Sequence, residues 1–419
     1  MKKSNIISLA TFVLIGLVVS CSKNDISPLI NNTVIKRDTV VGITPITMTV
    51  IDPYSAIKLT FGNNIDPNAL LNYANQVKPN YITKDNTSAN PITNPKATLG
   101  RVLFYDKNLS VNNTISCSSC HKQNFAFSDT ALISSGVLGG LSVRHSMRLI
   151  NTRFANETKF FWNERAATLE QQTTMPIQDH LEMGYSGING RESISSLLSK
   201  LSKINYYKEL FKFVYNDTIV TEVRLQESLA QFIRSIQSFD SKYDIGRAQV
   251  NNANDAFPNF STIENTGKQL FMTPPTFNAN GIRTTGGLGC NSCHNAPEFD
   301  IDPNSRNNGV ISIIGSNNIE LNNTRSPSLR DITKADGSIN SRMMHNGVFE
   351  NLNAVLAHYN NIPNNQRNTN IDPRLRPNNN TQQLNLTVAE SNAVIAFMKT
   401  LAGTAVYTDR KWASPFILP

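Results

Sequence analysis

The sequence predicts a mainly α-helical protein made of two related modules with long loops, preceded by an irregular N-terminal arm. Apolar residues recur at helical spacing in several segments, and strand patterns are scarce after residue 96. The motif Gly-x-x-Leu-Phe occurs twice, each time shortly before a Cys-x-x-Cys-His motif. We therefore expect one domain at residues 96–255 and a second at 256–419.

The first 20 residues have the pattern of a signal peptide. Two lysines precede an apolar run at residues 6–19, which is too short for a comfortable membrane span. The segment VVSC, ending at Cys21, resembles a bacterial lipobox, which implies cleavage before Cys21 and lipidation of its thiol. An ordinary signal peptide followed by an incidental cysteine is the alternative. We predict an exported protein, periplasmic or attached to the outer membrane through Cys21.

Residues 21–95 are rich in Thr, Asn, Pro and Ile and show no sustained helical period, so we expect a tether and an irregular arm. The formal net charge is +8, and removing the two signal-peptide lysines leaves +6. No dense basic run carries interleaved aromatic residues, which argues against a nucleic-acid partner. With 39% hydrophobic and 17% charged residues, the chain can form a buried core.

The chain between and after the two motifs predicts helices. One apolar stripe starts at Ile194, another runs from Leu225 to Ile236, and a capping box at Thr387 and Glu390 opens a third segment. Asn-, Gly- and Pro-rich loops join these pieces, and the Asn-rich stretch near residues 250–260 marks the domain boundary.

Four of the five cysteines belong to the two Cys-x-x-Cys-His motifs. This is the attachment pattern of c-type haem, because two thiols three positions apart reach the two vinyl groups of one porphyrin. The adjacent histidine then reaches the iron as its proximal ligand. The residues are Cys117, Cys120 and His121, and Cys290, Cys293 and His294. A redox disulfide, one shared structural zinc and ordinary disulfides are the alternatives.

With these motifs, the chain resembles the bacterial di-haem cytochrome c peroxidases, a family that includes the MauG-type enzymes. The resemblance runs from about Asn94 to Gly403. Its markers are LGRVLFYD at 99–106, FWNER at 161–165, EMG at 182–184, PSLR at 327–330 and HNG at 345–347. It implies two c-type domains with one covalently bound haem each, and reduction of hydrogen peroxide to water with electrons from a small cytochrome c or cupredoxin.

The resemblance implies that the first haem is the peroxidatic centre. Counting from Trp162, which matches a tryptophan between the two haems, Gln172 and Glu182 stand at the family's spacing. Glu182 is then the acid–base catalyst, Gln172 orients the peroxide, and Trp162 carries electrons. A carboxylate in an apolar haem pocket has a raised pKa and can move protons at neutral pH.

The second haem resembles the electron-input centre. Many members have a Met as its sixth ligand, but that position holds Tyr359 here, as in MauG-type enzymes. Tyr359 is our first choice for the ligand and His358 our second. Met343 and Met344 are interpreted as packing residues.

Two further positions depart from the family pattern. The distal histidine of the first haem is replaced by Val137, so we expect a five-coordinate or water-bound iron that needs no ligand release. The resemblance implies a calcium ion between the domains. The positions that match the family's calcium ligands hold His145, Asn340 and Arg342 here, and these residues fit the family's ligand pattern poorly.

Three functions follow from these residues. The first is a peroxidase with Glu182 as catalyst. The second is a MauG-like oxidase of a partner protein or organic substrate, which Val137 and Tyr359 favour. The third is a purely electron-transferring di-haem cytochrome, against which Glu182 and the missing distal histidine argue. The family also forms homodimers, for which no interface is readable in the sequence.

Overall fold

The computed structural model describes residues 52–156 and 159–417. The apolar run at 6–19 and Cys21 lie outside the described residues, and so do the predictions made on them. The α-helices are α1 Ser55–Phe61, α2 Asn94–Tyr105, α3 Cys117–Cys120, α4 Leu169–Gln178, α5 Ile194–Leu201, α6 Asn205–Tyr215, α7 Glu222–Ser235, α8 Lys242–Arg247, α9 Thr262–Met272, α10 Leu352–Asn360 and α11 Val388–Lys399. The strands are β1 Pro275–Phe277, β2 Arg283–Gly286, β3 His294–Asn295 and β4 Asp300–Ile301.

The predicted mainly helical class is confirmed. The strands form two small antiparallel pairs, β1 with β2 and β3 with β4. Helices α5 and α7 lie where the apolar stripes predict them, and Thr387 and Glu390 form the expected reciprocal capping box at the start of α11. Within the described ranges, no helix has the length and apolar character that crossing a bilayer requires.

Each Gly-x-x-Leu-Phe motif marks a close crossing of two helices. In α2, a Cβ added at Gly100 would lie 1.9 Å from the backbone oxygen of Ser228 in α7. In α9, a Cβ at Gly267 would lie 1.8 Å from the backbone oxygen of Ala393 in α11. A residue without a side chain is required at both crossings, because packed backbones leave no room for a methyl group. The repeated sequence therefore encodes a repeated helix pair.

Most of the buried apolar residues in the described chain form two clusters, one for each helix pair. The first contains residues from 57 to 236 and the second contains residues from 243 to 401. The C-terminal segment returns to the first cluster, where Val406 and Trp412 are buried. Two clusters suit two modules, whereas the domain limits at 96–255 and 256–419 stay predictions.

The N-terminal arm is largely irregular in its described part, but it contributes to the core. Ile57 and Phe61 on α1 are fully buried in the first cluster. Further along, the Tyr73 hydroxyl donates to the backbone oxygen of Lys411 at 2.8 Å. The arm and the C-terminal segment thus close the same side of the first module.

Candidate functional site

The first Cys-x-x-Cys-His motif opens onto a deep cavity of the first module. The motif forms α3, and the cavity has an empty volume of about 1550 Å³ including its open mouth. The predicted site residues share this lining with the motif: Cys117, Cys120, His121, Trp162, Gln172 and Glu182.

The His121 ring is oriented for iron binding. Its Nδ1 lies 3.0 Å from the backbone oxygen of Phe127. In the tautomer that donates this hydrogen bond, Nε2 is left to bind a metal, as is usual for ligating histidines. Burial lowers the pKa of His121, so the ring is neutral. These features fit a proximal haem ligand.

Glu182 is held by a tight loop that follows α4. The Asp179 carboxylate accepts hydrogen bonds from the backbone N–H groups of Leu181 (2.8 Å) and Glu182 (3.0 Å). The Gly184 N–H donates to the backbone oxygen of Asp179 at 2.8 Å, and Gly184 has a φ of +89°. The backbone of Glu182 is therefore fixed, and its side chain lines the cavity beside Gln172 of α4.

The Glu182 carboxyl group has a pKa raised to about 7. Burial is the largest cause, because it disfavours the charged form, and the nearby charge of Asp179 acts in the same direction. Arg165 and Arg144, which also line the cavity, oppose the shift. At neutral pH the group can therefore both accept and release a proton.

A hairpin at residues 134–142 packs directly on the Glu182 loop. The Val137 N–H donates to the backbone oxygen of Glu182 at 3.0 Å. Cβ atoms added at Gly136 and Gly140 would lie 1.9 Å and 2.3 Å from the backbone oxygen of Leu181. Val137 itself is buried, so this hairpin braces the loop that carries Glu182.

The second Cys-x-x-Cys-His motif opens onto another cavity, with an empty volume of about 2080 Å³ including its open mouth. Cys290 and Cys293 lie at a 3₁₀ turn, and they line this cavity together with His294 and Tyr359. Burial lowers the pKa of His294 to about 4. Its Nδ1 is buried and has no hydrogen-bond partner in the part of the chain described, unlike Nδ1 of His121.

Tyr359 on α10 is held through its hydroxyl. The Asn308 side-chain amide donates to the Tyr359 oxygen at 3.1 Å and lies 3.2 Å from the Met344 sulfur. Burial raises the pKa of Tyr359. His358 instead directs Nε2 to the backbone oxygen of Asn308 at 2.8 Å and is not among the cavity-lining residues. The geometry favours Tyr359 over His358 as a ligand.

The two cavities share a wall. It is formed by residues 145–148, 326 and 327 together with Trp162, all of which line both cavities. The Trp162 indole N–H donates to the backbone oxygen of His145 at 2.8 Å, and the ring contacts His345 edge-on at 6.2 Å between centroids. Trp162 thus lies between the two groups of motif residues.

The alternatives for the four thiols do not match this arrangement. None of the four is in a disulfide, and the two pairs line different cavities, so they do not converge on one zinc ion. Burial raises the pKa of Cys117 and Cys290 to about 12. Burial thus favours an uncharged sulfur at both positions, and the thioether sulfur of an attached haem is uncharged.

The three positions of the implied calcium site are mostly engaged elsewhere. Nδ1 of His145 lies 3.0 Å from the backbone oxygen of Ala131, and Arg342 forms an ion pair with Glu350 at 2.7 Å. Asn340 Oδ1 and His145 Nε2, by contrast, are buried with no hydrogen-bond partner among the described residues. A cationic guanidinium suits a calcium site poorly, and calcium stays a prediction.

Several residues near the cavities have no motif to reveal them. Asp179 and Gly136 fix the Glu182 backbone, and Asn308 contacts Tyr359 from a position 51 residues away in sequence. Arg148 lines both cavities. The one signal in the sequence that could have drawn attention to Arg148 is that this charged residue directly precedes the apolar pair Leu149-Ile150.

The chain is similar to known proteins in sequence. The model of the di-haem cytochrome c peroxidase family matches residues 94–251, which include the first motif and Glu182. The chain is 27% identical to methylamine utilization protein MauG of Methylophilus methylotrophus over 325 residues, covering 76% of this chain and 85% of MauG. It is 24% identical to cytochrome-c peroxidase IdrP1 of Denitromonas iodatirespirans over 352 residues, covering 75% and 83%.

A crystal structure of a MauG-like protein associated with microbial copper homeostasis shows the same fold. The TM-score is 0.63 at 23% sequence identity, and the match covers 81% of this chain and 99% of that protein. The mainly helical two-module architecture is therefore shared with solved structures.

Proposed function

Because the chain belongs to the di-haem cytochrome c peroxidase family, we propose that it reduces hydrogen peroxide to water with electrons from a small external redox protein. One observation carries the proposal. The Glu182 carboxyl and the Gln172 amide line the same cavity as His121, Cys117 and Cys120. An acid–base group beside a haem-attachment motif is what peroxide cleavage requires and what a purely electron-transferring cytochrome lacks.

The residues of the first cavity divide the work of the reaction. A haem held by Cys117, Cys120 and His121 would supply the redox centre at which peroxide is reduced. Glu182 takes the proton from one peroxide oxygen and returns it to the other, which leaves as water. Two further protons from the solvent and two electrons from the external donor complete the second water. Gln172 holds the peroxide by hydrogen bonding.

Trp162 is the proposed route for electrons between the two sites. Its position in the shared wall and its contact with His345 support this role. Tyr359 is the proposed sixth ligand at the second site, and an anionic oxygen ligand lowers the haem potential relative to methionine. The proposed donor is a small cytochrome c or cupredoxin that docks near the second haem.

A MauG-like oxidase is the second candidate. The Tyr359 oxygen lies in the second cavity, and Val137 replaces a distal histidine beside Glu182. Two MauG proteins among the relatives, 27% and 26% identical, support this reading. In that case the haems would supply the oxidising power, and the electrons would come from a partner protein or an organic substrate in place of a donor cytochrome. An exported location, a lipid anchor at Cys21 and a homodimer are further parts of the proposal.

Glu182→Gln tests the proposed function. Removing the proton carrier should lower peroxide turnover with a reduced cytochrome by about 10²–10⁴-fold, with both haems still present. Glu192→Gln is the matched control, because Glu192 is an exposed acid nearby that does not line the cavity. A fully active Glu182→Gln protein would remove Glu182 from the mechanism. Turnover of an organic or protein substrate without use of the cytochrome would favour the oxidase.

A further inference from the structure

Arg148 is a buried cation in the wall between the two cavities. Its exposed fraction is 6%, and it lines both cavities. Burial lowers its pKa to about 10, so the guanidinium still carries its charge at neutral pH. A charge this deeply buried normally has an ionised partner.

The described residues do not give Arg148 such a partner. One Nη atom donates to the backbone oxygen of Ser328 at 3.0 Å, and the other is 3.5 Å from the Ser341 hydroxyl. Nε is buried without a hydrogen bond within the described ranges. No carboxylate of the described residues lies within 4.0 Å of the Arg148 guanidinium. Asp331 is a more distant negative charge that acts on Arg148.

The geometry points to a haem propionate as the missing partner: we propose that Arg148 binds the propionate of a haem at the wall between the two cavities. Each haem carries two propionates, and a guanidinium with five N–H donors matches a carboxylate in shape and charge. The inference rests on the haem binding that the proposed function requires, but not on peroxide turnover.

This contact has a measurable electrostatic consequence. A cation close to a haem stabilises the ferrous form over the more positive ferric form, and the interaction is strong in a buried site. Removing the charge of Arg148 should therefore lower the reduction potential of the haem that supplies the propionate. Since Arg148 lines both cavities, the haem whose potential moves identifies the propionate.

Spectroelectrochemical titration of the intact di-haem protein tests the proposal, with Arg148→Met, Arg148→Gln and Arg148→Lys. In Arg148→Met and Arg148→Gln, the ferric-to-ferrous ratio of one haem at fixed potential should rise by about tenfold, which is about 59 mV for one electron. Arg148→Lys keeps the charge and should stay within about twofold of the wild type. Resonance Raman spectra should show a shifted propionate bending mode for the same haem.

Arg247→Met is the matched control. Its Nε is also buried without a partner among the described residues, it donates to the backbone oxygen of Val250, and it lies outside both cavities. Its loss should leave both potentials unchanged. If Arg148→Met does not take up haem, the haem reduction potentials of Arg148→Gln and Arg148→Lys are compared to test the proposal. Unchanged potentials and propionate modes in the neutral variants that do take up haem would overturn the proposal.

The two proposals fail differently. A protein with two haems and no peroxidase activity would end the proposed function, yet the potential shift would still appear. If the wild type is an active peroxidase and its haem reduction potentials are unchanged in Arg148→Met and Arg148→Gln, only the propionate contact is refuted.

Discussion

Gly136→Ala should lower peroxide turnover, although it replaces no residue that is proposed to contact peroxide. An alanine Cβ at this position would lie 1.9 Å from the Leu181 oxygen and 2.9 Å from the Glu182 Cα. Real Cβ contacts essentially never fall below 3.0 Å, so the Leu181 oxygen and the Cβ must separate by at least about 1.1 Å. The backbone at Gly136 has a φ of −107°, so alanine brings no conformational strain of its own.

The hairpin cannot simply retreat, because the Val137 N–H is bonded to the Glu182 oxygen. Part of the displacement therefore passes to Glu182, and a misplacement of 1 Å in an active site can lower the rate by about 10²-fold. Steady-state peroxide turnover with a reduced cytochrome measures the loss. Haem content and the spectrum of the second haem should match the wild type.

Gly139→Asn controls for a general effect on the hairpin. Gly139 has a φ of +81°, which asparagine tolerates better than most residues, and a Cβ there meets nothing within 4 Å. This variant should keep its activity. If Gly136→Ala also keeps full activity, the hairpin does not position Glu182.

Three other predictions concern the remaining site residues. The kcat/KM of the wild type for peroxide should rise as pH rises through about 7, because only the carboxylate form of Glu182 accepts a proton. A wild-type pH profile as flat as that of Glu182→Gln would contradict this. Trp162→Phe should keep both haem spectra but slow electron passage from the second haem to the first, measured by stopped-flow absorption; an unchanged rate would exclude the indole route. Tyr359→Phe should abolish the low-spin EPR signal of the second haem, whereas His358→Gln should leave it intact; the opposite result would make His358 the ligand.

The helices, and the placing of each Cys-x-x-Cys-His motif in its own module, could be predicted because their signals are local. The Cys-x-x-Cys-His spacing is set by the porphyrin, and the stripes of α5 and α7 repeat within a few turns. The double Gly-x-x-Leu-Phe motif predicted two similar modules, although the reason for its glycine appears only in the structure. There, Gly100 and Gly267 allow two backbones to touch.

The positioning contacts could not be predicted, because they join distant parts of the chain. Asn308 meets Tyr359 across 51 residues, and Trp412 returns to a core built mainly from residues before 236. Neither contact leaves a periodic pattern. The burial of Ile57 in the N-terminal arm was missed for a similar reason, since a short helix such as α1 has too few turns to show a stripe.

EPR spectroscopy of the oxidised protein, combined with a haem assay, tests the central claim most directly. The account predicts two covalently bound haems per chain, one high-spin at His121 and one low-spin at His294. Two low-spin haems would mean that neither site is open to peroxide, and a colourless protein with zinc or disulfides at the four thiols would contradict the account altogether.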